Sequence, residues 1–109
     1  MKFVNCLPYK VVIMVSIGQQ RVFEPSGINT WVDFDTIENV IIDGILIKNS
    51  IHGDIFNLPP SEPDTLFIVS NVVAHAAKDR FDLITPRNAT TISKEDDFYI
   101  VAPGFIRYI

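Results

Sequence analysis

Arg80-Phe81-Asp82 is the arrangement in this sequence best suited to holding a ligand. Alternate residues of an extended segment point the same way, so Arg80 and Asp82 share a face while Phe81 packs inward. A guanidinium there would grip a phosphate or carboxylate with its fork of N–H donors, and the carboxylate would take a ribose or base donor. The same two residues would also serve as a local ion pair closing a helix, where an arginine meets the C-terminal dipole. Both readings stand at this stage. Ser70 and Asn71 form a second constellation, since a helix N-terminus that follows a strand offers free N–H groups to an anion. Capping alone also accounts for both residue types. Trp31, between Thr30 and Val32, would stack on a flat ligand or fill a core or subunit interface. Ser70, Asn71, Arg80, Asp82 and Trp31 are therefore the candidate ligand-binding residues.

Catalysis and metal binding have less to build on. His52 and His75 are the only histidines, and a metal site would need both together with a carboxylate such as Asp54 or Asp79. Neither the Glu-x-x-His nor the His-Glu-x-x-His spacing occurs. Ser70, His75 and Asp79 can be drawn as a triad, but His75 and Asp79 four apart on a helix also make an ordinary solvated pair. The expectation is a protein that is not an enzyme and holds no cofactor or metal.

The element that must position these residues is a strand followed by a helix. Leu66-Phe67-Ile68-Val69 is continuously apolar, as in a strand buried on both faces, and the period changes at Ser70-Asn71. A helix over about residues 71–79 would carry Val72, Val73, Ala76 and Ala77 as one stripe. Two turns begun by two valines are not stable alone in water, so packing on the strand must hold this helix.

Elsewhere the chain reads as strands and turns. Phe3–Asn5 and Val11–Val15 flank Pro8, and Gly18 joins the second to Arg21–Glu24 as a hairpin. Pro25-Ser26-Gly27 is a turn, with Asn29–Phe34 a strand or bent edge after it. Glu38–Asp43 and Ile45–Lys48 are divided by Asp43-Gly44, a strong hairpin signal, and Ile51–Leu58 alternates loosely. Pro59–Asp64 is stiff and extended, Phe81–Thr85 is a short strand, and Arg87–Asp97 is polar enough for a loop. Phe98–Val101 and Phe105–Ile109 close the chain around Ala102-Pro103-Gly104. The fold class is mainly β (α+β), an antiparallel barrel-like or two-layer arrangement with one short helix.

The 109 residues make one domain, and the 48% hydrophobic fraction exceeds what a small core needs, which points to a homo-oligomer. No run approaches the ~18 apolar residues that span a bilayer, and no signal-peptide pattern opens the chain. Cys6 is the single cysteine and forms no internal disulfide. Thirteen acidic against nine basic residues, a net charge of −4, disfavour duplex nucleic acid, which asks for a basic face. A few dispersed cations can still meet around one small anion.

Asn5 with Pro8, Pro25-Ser26-Gly27, Leu58-Pro59, Thr65-Leu66-Phe67-Ile68-Val69-Ser70, Val73-Ala74, Arg80-x-Asp82-Leu83 and Pro86 form an ordered series that resembles a family of small phage and prophage proteins. That family opens with Asn-Leu-Thr-Pro-His and carries Pro-Ser-Gly, Gly-Leu-Pro, Thr-x-Tyr-Ile-Val-Ser and Arg-x-Asp-Leu. This chain departs in Cys6-Leu7 before Pro8, in Tyr9 where histidine is usual, and in Asn57 for glycine. The resemblance implies a viral protein of the host cytoplasm that works by binding. One such role is sequestering a small, anionic, nucleotide-derived signal of host antiviral defence. The contrasting role is contact with protein, either inhibiting a host factor or building a particle.

Overall fold

Phe67, Ile68 and Val69 are fully buried because β6 (Thr65–Ile68) runs through the middle of a sheet with packing on both faces. The computed structural model describes residues 1–77 and 79–109, without the side chains of residues 34–37 and 50–52. Lys78 and the side chain of His52 therefore lie outside the described residues. β6 is flanked in parallel by β1 (Lys2–Asn5) and β7 (Leu83–Arg87), and β10 (Gly104–Ile106) adds antiparallel to β7. A second sheet has the order β3 (Gln19–Phe23), β2 (Lys10–Ser16), β9 (Asp97–Ala102), β8 (Thr90–Lys94), with β2 and β9 parallel. β4 (Trp31–Ile42) and β5 (Ile45–Phe56) pair only with each other.

The domain is thus mostly β with one short helix, α1 (Asn71–Ala76), but its sheets are mixed and do not close into a barrel. The parallel pairing of β6 with β7 follows from α1 itself. A tight turn would bring the next strand back antiparallel, whereas a helical crossover returns the chain to run alongside β6 in the same sense.

Two cores sit on opposite faces of the β1-β6-β7-β10 sheet, as the alternation of side chains along each strand requires. Phe67, Val69 and Leu83 face α1 and pack with Cys6, Val73, Ala74 and Ala77, and with Val32 and Ile55 from the foot of the β4–β5 hairpin. Ile68 and Ile84 face the other way, onto Leu7, Val11, Ile13 and Ala102 of the second layer. Phe3, Phe23 and Phe105 continue that core as an aromatic cluster with centroids 5.3 to 6.2 Å apart. Asn5, buried at 2% exposure, ties the layers through backbone groups. Its Nδ2 donates to the Tyr9 and Phe23 carbonyls, each at 2.9 Å, and its Oδ1 accepts from the Leu7 N–H at 2.9 Å.

The β4–β5 hairpin leaves the body. Twelve residues of strand reach about 40 Å, and the outline is 53 × 34 × 26 Å. The radius of gyration is 16.4 Å, against about 13 Å for a compact domain of this length. Asp43 (φ 51°) and Gly44 (φ 76°) turn the hairpin with two successive left-handed residues, the geometry that matches strand twist. Its foot is clamped. Thr30 Oγ1 donates to the Asn57 carbonyl at 2.8 Å, Asn57 Nδ2 donates to the Asn29 carbonyl at 3.1 Å, and Trp31 stacks on Phe56.

Candidate functional site

α1 begins where the sequence places it and ends earlier than 79. Ser70 is extended (φ −73°, ψ 160°) and its Oγ accepts the Val73 N–H at 3.3 Å, the expected N-cap bond. The Ala77 N–H bonds back to the Val73 carbonyl, but Ala77 itself (φ −98°, ψ 62°) has left helical geometry. The Arg80 N–H then bonds to the Ala77 carbonyl at 3.1 Å, and Asp82 is drawn onto the sheet when its carbonyl accepts the Phe67 N–H at 2.8 Å. Arg80 and Asp82 therefore sit at the end of α1 against β6.

There the two side chains meet head on. Arg80 Nε donates to Asp82 Oδ1 and Nη2 to Oδ2, both at 2.8 Å, a bidentate pair that is largely shielded from solvent. The hydrogen bonds from Arg80 hold the Asp82 carboxyl below its ordinary range, against an opposing desolvation cost, and the same bonds raise the Arg80 guanidinium. The guanidinium also lies 5.8 Å from the Phe67 ring centroid. A hollow of about 370 Å³ opens beside the pair, with Asp64, Asp79 and Arg107 also on its wall. Arg107 was not a sequence candidate. It is distant in sequence and arrives only because β10 pairs with β7, Ile106 opposite Thr85. Three carboxylates and two guanidinium groups give this wall mixed charge.

The other candidates lie elsewhere. Asn71 Oδ1 accepts from the Tyr108 hydroxyl at 3.2 Å, and the Tyr108 ring rests on His75 at 4.3 Å, so both side chains pin the segment after β10 to α1. Neither Ser70 nor Asn71 lines the hollow beside Arg80. Trp31 stands at the hairpin foot, parallel to Phe56 at 4.4 Å with 17° between the rings, and is 45% exposed. The structure joins Arg80 to Asp82 and leaves Ser70 with Asn71, and Trp31, in two other places. Among the described residues, no three His, Cys, Asp or Glu side chains group as a metal site. Ser70 and His75 are each engaged with other partners, the Val73 N–H and the Tyr108 ring.

Part of the ordered motif series, Asn5, Ser26, Gly27, Leu58 and Pro59, lines two further hollows near the hairpin foot. They measure about 500 and 420 Å³ and share Ile28 and Pro59. Ser26 Oγ donates to the Asn5 carbonyl at 2.6 Å, so the Pro-Ser-Gly turn is fastened to β1. Much of that series is thereby accounted for by folding chemistry.

The far end of the hairpin exposes a run of large aliphatic side chains, Ile41, Ile42, Ile45 and Leu46. Ile41 is 72% exposed and opposes Leu46 across the ladder; Ile42 opposes Ile45, which is 64% exposed. Successive residues of a strand face opposite ways, so the tip is apolar on both faces. Between Trp31 and Phe56 there are five acidic residues and one basic, which accounts for the whole net charge of −4. Among the described residues, no helix is long and apolar enough to cross a membrane. No family model, curated protein or solved structure matches the chain.

Proposed function

We propose that this chain is a non-enzymatic binding protein that works by protein–protein contact, with the β4–β5 arm as its working surface. The observation that carries this reading is an arm standing clear of the body with large aliphatic side chains on both faces of its tip. An isolated two-stranded ribbon is marginal in water, and a contiguous exposed aliphatic patch is the mark of an interaction site. The acidic flanks would select among partners and steer approach, while the aliphatic tip supplies the area removed from water. The resemblance to phage proteins favours a host factor or a component of a particle as partner, and a further copy of this chain would be such a component.

The test is a photo-crosslinking residue placed at position 41 in cells, with one at the exposed Glu95 as control. Specific protein adducts from position 41 support the reading. Adducts absent at 41, or equal at 41 and 95, remove it.

A second reading is sequestration of a small anionic, nucleotide-like molecule beside Arg80. It is favoured by the hollow of about 370 Å³ that brings Arg107 to the Arg80–Asp82 pair. Against it, the Asp82 carboxylate already occupies two of the Arg80 donors. Cyclic nucleotides and ADP-ribose should then raise the melting temperature, and Arg107→Ala should abolish the rise. No shift at millimolar ligand removes this reading and leaves the arm untouched.

A further inference from the structure

We infer that the occupant of the arm is a second copy of this chain, held head to tail by the β2–β3 hairpin of its neighbour. The inference rests on the arm being an interaction surface and names its partner. The second surface is also aliphatic and solvent-facing: Val15, Ile17 and Val22 are exposed, Ile17 at 103%. A hollow of about 470 Å³ lies beside them, lined by Val15, Gly18, Gln19, Gln20 and Arg21, room enough for a branched side chain from the arm. β3 ends its sheet, so its outer edge has no strand against it among the described residues, and the arm's two strands pair only with each other. Unpaired strand edges are templates for pairing with another chain.

Charge decides which surfaces meet. The arm carries five acidic residues against one basic, whereas the segment from Lys10 to Phe23 contains Lys10 and Arg21 and no acidic residue. Lys10 is engaged by Asp97 at 3.2 Å, which leaves Arg21, stacked on Phe3 and Phe23, to meet the acid of the arm. Two arms laid together would set −4 against −4. Arm against β2–β3 hairpin sets opposite signs together, with Asp43 at the arm's tip and Arg21 beside the hollow. The contact is heterologous, using a different patch on each copy, so copies assemble as a ring where the rotation closes and as a filament where it does not.

The test uses the full chain and two variants at positions that contribute nothing to the core, Ile41→Lys on the arm and Ile17→Asp on the β2–β3 turn. At roughly 100 μM, enough to populate a contact with a Kd of about 10 μM, sedimentation should give the unaltered chain a mass above 12.3 kDa. Each variant alone should be monomeric. Mixed in equal amounts they should form a species of twice the chain mass and no larger, because one intact arm meets one intact hairpin and no further contact remains. A monomeric unaltered chain overturns the inference, as does a variant that still associates alone or a mixture that stays monomeric. Leu46→Lys and Val15→Asp repeat the experiment where either first variant loses its folded circular dichroism. A monomeric chain whose position 41 still crosslinks another protein in cells removes self-assembly and keeps the arm as the interaction surface.

Discussion

Asn5, itself 2% exposed, bonds three backbone groups, the carbonyls of Tyr9 and Phe23 and the N–H of Leu7. Removing the side chain leaves the buried Leu7 N–H unbonded and strips the Tyr9 and Phe23 carbonyls of their donor, and an unmade buried bond costs more than the bond itself is worth. Asn5→Ala should therefore lower stability by about 2–4 kcal/mol, read from urea unfolding; a loss under about 0.5 kcal/mol would show that the side chain is dispensable. Asp82 carries a different signature. Its folded-state carboxyl sits below the usual range because Arg80 bonds to the ionised form. A lowered value contributes stability that is complete above the unfolded pKa of about 4 and is lost as the pH falls through the folded value. Asp82→Asn should cost about 1–2 kcal/mol at neutral pH, and the gap from the unaltered protein should narrow once the pH drops below about 4. A gap independent of pH would mean that packing, and not the ion pair, holds that corner. Arg80 and Asp82 do meet, but across a bend and not along an extended segment, and Phe81, expected to pack inward, is 63% exposed. The sequence left a ligand grip and a local ion pair both open, and in the structure the two side chains bond to each other.

Ser70 belongs to the helix it begins. Ser70→Ala should cost about 1 kcal/mol, and Ser70→Gly only a few tenths. Equal losses would point to a role beyond capping. This strand-and-helix unit was the most legible part of the chain, since four consecutive bulky residues and an abrupt change of period have few other solutions. The Asp43-Gly44 turn was equally plain, because two successive left-handed residues suit few other sequences. Its strands were not. Sequence patterns break β4 between Phe34 and Glu38 and β5 at Asn49-Ser50, yet the hairpin runs through both, with register shifts near Phe34. β8 was missed for a related reason: Thr90, Thr91 and Ser93 look like loop, yet β-branched threonines suit an exposed edge strand. The β1–β6 and β2–β9 parallel pairings were hidden because they join segments far apart in the chain, and local periodicity carries no trace of them.

At the scale of the molecule, the two cores share one sheet, so neither can loosen without exposing the other's back wall. Cys6 reports on this. It is wholly buried, and burial pushes its thiol above the ordinary value, leaving little of the reactive thiolate. Its labelling by a thiol reagent should therefore proceed only through unfolding, at a rate that rises with urea in step with global opening. Rapid labelling in buffer alone would mean that the first core breathes independently of the second. The arm, by contrast, touches the body only near its foot among the contacts described, and its tip should exchange amide protons far faster than β6.

β1 pairs with β6 and with no nearer strand of its sheet, so its ladder must wait for some sixty residues to be synthesised, although Phe3 can meet Phe23 well before that. Until Leu66 to Val69 clear the ribosome, Val4 has no neighbouring strand in its sheet and the first core lacks its central wall. Assembly must then come late and nearly all at once, and nascent chains cut short before β7 should be prey for proteases and chaperones.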